Sequence, residues 1–309
     1  MPSWQELDAD LSATGDAISV YVGPLDGAPV FTRSPDRPHY AASTMKVAVL
    51  AALHRAAEAG TVDLDAPVPV DNEFESARPG APRFGCTDGQ GDDRMVWDRL
   101  GGTASLRWLA ERMILRSSNL ATNLVLAHVG LPAVAEVWTL AGARHSVTAR
   151  GIEDFAARDA GLDNLVTAAD LAALLRAIAL GARDPNPETR RSSCGAPFSV
   201  GRPATDPGRL AAPPTCTAML DLLLAQERRE DLAAGLPAGV PIAHKSGWVR
   251  GVRHGAGVVL PPDAAPYTVV VCVSADPAGP AVRGDRRAGW DAAARALIAR
   301  VSATAWAAR

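Results

Sequence analysis

Lysine is nearly missing from this 309-residue chain: among 31 cationic residues only Lys46 and Lys245 are lysines, and the rest are arginines. The abundance of arginine, alanine, glycine and proline matches a G+C-rich coding bias, which converts lysine wherever a bare positive charge is enough. Arginine cannot replace lysine in every task. Burial can lower a lysine pKa until the amine serves as a base, and a compact ammonium fits where a planar guanidinium does not. The two retained lysines are therefore candidates for chemistry.

Other absences narrow the class. The formal charge is −3 and the arginines are scattered, so no basic block is present for nucleic acid or anionic lipid. Met1 to Thr14 has no cationic start followed by an apolar run, and no later segment reaches about 18 uninterrupted apolar residues. Neither a signal peptide nor a membrane span is expected, and a cytoplasmic protein is. Cys86, Cys194, Cys216 and Cys272 are too few and too irregular for a disulfide scaffold. Cys272 sits in an apolar run as a small buried hydrophobe, and Cys194 with Cys216 would bridge a loop only outside a reducing compartment. No C-x-x-C pair or H-E-x-x-H helix exists, and His39, His54, His128 and His145 lack the mutual spacing of a metal site or a triad. The expectation is a monomer that handles a small molecule without metal or cofactor.

What is present is ordinary globular material, 48% hydrophobic and 21% charged. Ser3 and Glu6 have the capping-box form, which predicts a helix to about Ser12. Ala17 to Val22 and Pro29 to Thr32 read as a β-hairpin around Gly23 to Gly27. From Ser43 the period becomes helical up to Gly60, and further helices are expected at 105–116, 119–129, 132–141 and 168–180. Strands return at 241–248, 255–260 and 267–274, and a last helix covers 287–306. Five strands divided two and three around a helical block predict an α/β fold: one antiparallel five-stranded sheet, flanked by terminal helices, with an inserted mainly α-helical domain. The division expected is 1–40 with 215–309 for the sheet part and 41–214 for the helical part. Segments 65–102 and 181–214 are weakly periodic, and loops of that length are functional lids or disordered.

Three short stretches carry the chemistry. Ser43-Thr44-Met45-Lys46 begins a predicted helix, and a spacing of three puts the amine on the face of the hydroxyl. Read alone, Ser43 could equally be a plain N-cap. Arg116-Ser117-Ser118-Asn119 opens a second helix, where Ser117 and Ser118 taken alone read as caps. Ala243-His244-Lys245-Ser246-Gly247-Trp248 lies in a strand, where a lysine is unfavourable unless it points into a polar cleft.

In this order the three resemble the S-x-x-K, S-x-N and K-S-G signatures of class A β-lactamases and penicillin-binding proteins, and the resemblance spans nearly the whole chain. It implies a serine hydrolase working through an acyl-enzyme, with Ser43 as nucleophile and Lys46 as base or proton relay. Ser117 would pass the proton to the leaving nitrogen, supported by Lys245. Asn119 would hold the acylamide of the substrate and Ser246 its carboxylate, with Arg253 or His254 on the next strand assisting. The oxyanion hole would be the N–H groups of Ser43 and Trp248, flanking Gly247. The resemblance further implies a glutamate that activates the deacylating water, usually in R-x-E-x-x-L-N. Arg150-Gly151-Ile152-Glu153-Asp154 places Glu153 one residue late, with Asp154 competing, and no asparagine follows at the usual distance. β-Lactam hydrolysis is the leading activity. A cytoplasmic esterase, peptidase or transacylase of the same fold is the runner-up, and a penicillin-binding sensor that is acylated without turnover is the third reading.

Overall fold

The computed structural model describes residues 3–88, 92–183, 209–275 and 287–309. Its first helix, α1 (Trp4–Ala13), starts on the capping box: Ser3 Oγ accepts the Glu6 N–H at 3.2 Å and the Glu6 carboxylate accepts the Ser3 N–H at 2.7 Å. Two orphan donors are thereby satisfied, and Leu7 and Leu11 are turned inward. Strands β1 (Ala17–Pro24) and β2 (Phe31–Arg33) form the expected hairpin, with Val20 opposite Arg33.

After the two-residue strand β3 (His39–Tyr40), a tight turn over Ala42–Met45 leads into α2 (Lys46–Glu58). Residues Lys46 to His54 are all buried, so α2 is the central helix of the molecule. The loose segment that follows has more structure than its composition predicts. It contains β4 (Pro67–Pro69), a Phe74/Phe84 bridge and α3 (Arg94–Trp97), and β5 (Thr103–Ser105) closes it by pairing with β4. Short pairings of this kind have no periodicity that a sequence window can detect.

Helix α4 (Leu106–Glu111) runs into a π-helical turn over Arg112–Arg116 and then α5 (Asn119–Leu140). Sequence periodicity divides α5 into two helices, and the division is a kink at Gly130, whose φ of 77° and ψ of 154° are non-helical. Pro132 just beyond removes a further backbone donor. α5 has the length and apolarity of a membrane span, but its apolar residues Leu120 to Leu126, Val134 and Val137 belong to the protein core. Then come α6 (Phe155–Asp159), β6 (Leu165–Val166), α7 (Ala168–Gly181) and α8 (Pro213–Leu224). Most of segment 181–214, including Cys194, lies outside the described residues. Cys216 is buried in α8, its thiol directed at the Ala211 carbonyl.

The chain ends with β7 (Ile242–Val249), β8 (Val252–Val259), β9 (Tyr267–Ser274) and α9 (Arg287–Ala307). The sheet order is β2-β1-β9-β8-β7, antiparallel throughout, so β1 pairs with β9 and the two ends of the sequence share one sheet. Alternation along β9 assigns the two layers. Val269, Val271 and Val273 pack with Leu7, Leu11 and Ile298 of the terminal helices, whereas Val270 and Cys272 join the core of α2, α5, α7 and α8. Strand β7 is an edge, and the turn that carries Ser43 lies beside it.

Candidate active site

Three elements converge where β7 meets the start of α2 and the start of α5. Ser43 is half-buried in the Ala42–Met45 turn, preceded by Ala42 with a φ of 45°. A non-glycine residue in that region is strained by about 1–3 kcal/mol and persists only when its surroundings enforce it. Ser43 lines a cavity of about 300 Å³ together with Tyr40, Ala42, Met45, Thr87, Asp92, Ser117, Asn119, Ile152, Glu153, Arg228, Trp248 and Val249.

Behind that cavity the two lysines meet. Lys46 and Lys245 are both fully buried. Lys46 Nζ donates to the carbonyls of Ser117 at 2.6 Å and Ser118 at 3.3 Å, and to Asn119 Oδ1 at 2.9 Å; it lies 3.2 Å from Ser117 Oγ. Lys245 Nζ reaches the same Ser117 Oγ at 3.0 Å and donates to the Ser246 carbonyl at 2.9 Å. Ser117 is held there in the left-handed region, at φ 62°. Ser118 does act as a cap, its Oγ accepting the Ala121 N–H.

Burial disfavours the charged amine, and only partly opposed by the negative charge of Asp92 it brings Lys46 down to about 7. Burial, followed by repulsion from Lys46, pushes Lys245 well below its usual range. Two amines around one hydroxyl disfavour each other's protons, so protonation of either one opposes that of the other.

Gly247 is needed for a close approach. A Cβ there would lie 3.0 Å from both Ser43 N and Thr44 N, so the bare backbone of β7 sits directly against the turn that carries Ser43. Substituting Gly247→Ala is expected to push β7 off that turn by a few tenths of an ångström. It should lower kcat about 10-fold or more with little change in thermal midpoint, because misplaced N–H donors cost most in the transition state. Steady-state kinetics beside a melting curve check this. Trp248 is 45% exposed on the cavity wall, and Ser246 is buried in the strand between Lys245 and Gly247.

Two residues expected to bind a carboxylate are placed elsewhere. Arg253 is buried in ion pairs with Asp231 at 2.7 Å and Asp291 at 2.8 Å, and it is absent from the cavity wall. His254 is also buried; its Nε2 donates to the Tyr40 carbonyl at 2.8 Å, its Nδ1 accepts the Val273 N–H at 3.2 Å, and burial lowers its pKa to about 4. Both residues lie on β8 as expected, but these partners hold their side chains away from the cavity. The guanidinium that does line the cavity is Arg228, from the segment after α8. Nothing in its sequence surroundings marks it among so many arginines. Among the described residues it has no carboxylate partner, only a 3.5 Å contact to the Arg116 carbonyl.

The carboxylates separate by their partners. Asp154 is fully buried and accepts Ser76 Oγ–H at 2.7 Å, Ala77 N–H at 2.7 Å and Ala157 N–H at 3.1 Å. It caps α6 and does not line the cavity, so it is not placed to compete as a base. Asp92, which the sequence did not single out, lines the cavity and accepts from Asp93 N, Asn119 N, Leu120 N and Trp97 Nε1. Burial raises its pKa, but those donors outweigh burial and the net shift is downward. Asp92 fixes the start of α5 and is a poor base. Glu153 lines the cavity with φ at 68°, and its carboxylate accepts one hydrogen bond among the described residues, from Thr87 N at 2.8 Å.

The loop that carries Glu153 is closed at its neck. Buried Arg150 reaches Asp163 at 3.4 Å, and Asn164 accepts from Ala149 N and Arg150 N while donating to the Arg150 carbonyl. Two histidines are held in structural hydrogen bonds: His39 bridges Ser19 and Ser274, and His128 bonds the Leu124 carbonyl. Among the described residues no three His, Cys, Asp or Glu side chains cluster to hold a metal.

Sheet, helical block and paired lysines define the fold of the β-lactamase and penicillin-binding proteins. A family model described as the Beta-lactamase enzyme family matches residues 2–191 and 207–308, and the chain belongs to that family. Among solved structures, a β-lactamase from Sphaerobacter thermophilus aligns at TM-score 0.72 and 24% identity, covering 99% of this chain and 98% of that one. The ancestral class A β-lactamase GNCA aligns at 0.73 and 21%, covering 99% and 100%. A mutant of PBP-A, solved as an acyl-enzyme complex with penicillin G, aligns at 0.70 and 23%, covering 99% and 95%. No curated protein matches the chain significantly.

Proposed function

We propose that the protein hydrolyses a carboxylate-bearing amide, with β-lactams the leading class, through an acyl-enzyme on Ser43. The observation that carries this reading is the single hydroxyl, Ser117 Oγ, held between Lys46 Nζ at 3.2 Å and Lys245 Nζ at 3.0 Å beside Ser43 in one cavity. In this reaction Ser43 Oγ attacks the carbonyl and its proton passes to the neutral amine of Lys46. The oxyanion forms against the backbone N–H groups of Ser43 and Trp248. As the C–N bond breaks, Ser117 donates its proton to the leaving nitrogen and is reprotonated from the lysine pair. Arg228 is the cation on the cavity wall available for the substrate carboxylate, and Ser246, on the strand that brings Trp248 to the same wall, is the hydroxyl proposed to assist it. That carboxylate would also restore the proton on Lys245, since an opposite charge favours the ammonium. Asn119, already oriented by Lys46, has its amide N–H₂ for the acylamide of the substrate. The acylation of a neighbouring fold, the PBP-A mutant, by penicillin G supports the substrate class.

Water then releases the acyl group, with Glu153 as its base. Glu153→Gln is expected to leave acylation largely intact and to slow release about 100-fold or more, the scale of general-base catalysis. Intact-mass spectrometry after mixing with a chromogenic cephalosporin and with a generic ester reads both steps. An acyl-enzyme that accumulates equally in the wild type would instead place the chain with the penicillin-binding sensors, and turnover of the ester alone would make it an esterase.

A further inference from the structure

The strap 72–87 is braced within itself and meets the loop 150–154 at three places. Asn72 holds the strap's far end by accepting the Cys86 N–H at 2.7 Å and donating to the Cys86 carbonyl at 2.8 Å. Phe74 and Phe84 exchange backbone hydrogen bonds at 2.8 and 2.9 Å. The Phe84 ring lies so close to Gly151 that a Cβ there would meet it at 2.7 Å. At one end of the strap Asp154 accepts Ser76 Oγ–H and Ala77 N–H, and at the other Glu153 accepts the Thr87 N–H. On the opposite side Asn123 of α5 holds Ile152 twice, through its N–H and its carbonyl, both at 2.8 Å. Glu153 is thus the left-handed residue between two pinned neighbours, Ile152 and Asp154. Strained backbone of this kind relaxes unless both sides are held.

We infer that Asp154 is a positioning residue for deacylation: by latching the strap at Ser76 and Ala77 it holds Glu153 in the left-handed conformation that aims its carboxylate into the cavity. The inference rests on the reading of Glu153 as the base for water. Asp154 itself is buried away from the cavity, so it acts only through its neighbour. The latch makes the strap part of the deacylation apparatus. It leaves acylation to Ser43, Lys46 and Ser117, none of which the latch touches.

The test measures acylation and decay of the acyl-enzyme by intact mass with a chromogenic cephalosporin in four proteins: wild type, Asp154→Ala, Glu153→Gln and the double variant. Asp154→Ala should slow decay about 10-fold or more, the scale of a mispositioned catalytic group, with acylation within about 3-fold of wild type. In the Glu153→Gln background the same substitution should change decay less than about 2-fold, because the group it positions is gone. An equal slowing in both backgrounds, a parallel loss of acylation, or unchanged decay in Asp154→Ala would overturn the latch. If Glu153→Gln releases as fast as wild type, the base reading fails on its own measurement and takes the latch with it. Should Asp154→Ala not fold, Asp154→Asn combined with Ser76→Ala removes the charge and the hydroxyl donor while keeping one acceptor for the α6 cap, and the same cycle applies.

Discussion

Ser43→Ala is expected to lose acylation by every substrate, a fall of about a million-fold in kcat on the scale of nucleophile removal in serine hydrolases. Of the cavity-lining residues on the strained turn against β7, Ala42, Ser43 and Met45, only Ser43 carries a hydroxyl, so no neighbour on the turn can take its place. Ser117 Oγ is engaged by two lysine amines, which suits it to the proton-transfer role proposed for it rather than to attack. The substitution is small and the turn keeps its backbone bonds, so the variant should fold and still bind substrate. Intact-mass spectrometry should show no adduct with either a cephalosporin or an ester. A label at another residue of the variant would remove Ser43 from the mechanism.

Lys46→Arg is expected to cost about 1,000-fold or more in acylation, within the range spanned by loss of a general base. Guanidinium does not release its proton near neutral pH, and its planar fork does not fit a pocket shaped to direct three bonds of an ammonium onto Ser117, Ser118 and Asn119. Lys245→Arg should retain more activity, because at that position substrate binding calls for a cation beside Ser117. The sign of the pH effect follows from the lowered pKa of Lys46. The neutral amine grows as pH rises through about 7, so acylation by wild type should climb across that pH and level off above it. Single-turnover rates from about pH 5 to about pH 9 read the limb on either side of neutrality. Equal tolerance of arginine at both positions would make Lys46 structural.

The motif residues were legible because each is local. S-x-x-K spans one short turn into α2, and Ser117 and Asn119 share one helix start, so spacing alone singled them out, whereas the meeting of Lys46 with Ser117 and Asn119 is a tertiary contact. The two lysines stood out against arginine because only burial-tolerant chemistry resists that bias. Arg253 and His254 failed for the opposite reason. Their strand and register were correct, but whether a side chain enters a cavity depends on who else reaches it, and Asp231, Asp291 and the Tyr40 carbonyl reached these first. Asp92, Arg228 and Thr87 were missed since they come from weakly periodic segments and matter only through groups distant in sequence.

By itself the sequence determined the α/β layering and the main strands and helices around it, and it singled out Ser43 and the two lysines as candidates, all through hydrophobic period and short-range spacing. Tertiary structure decided which carboxylate faces the cavity, which arginine does, and how far the lysines lose their charge. Those outcomes depend on burial and on hydrogen bonds between residues far apart in the chain: Asp154 with Ser76, Glu153 with Thr87, and both lysines with Ser117. A pattern of neighbours cannot encode them, because the free energy of a charge in a cavity is set by everything that closes around it.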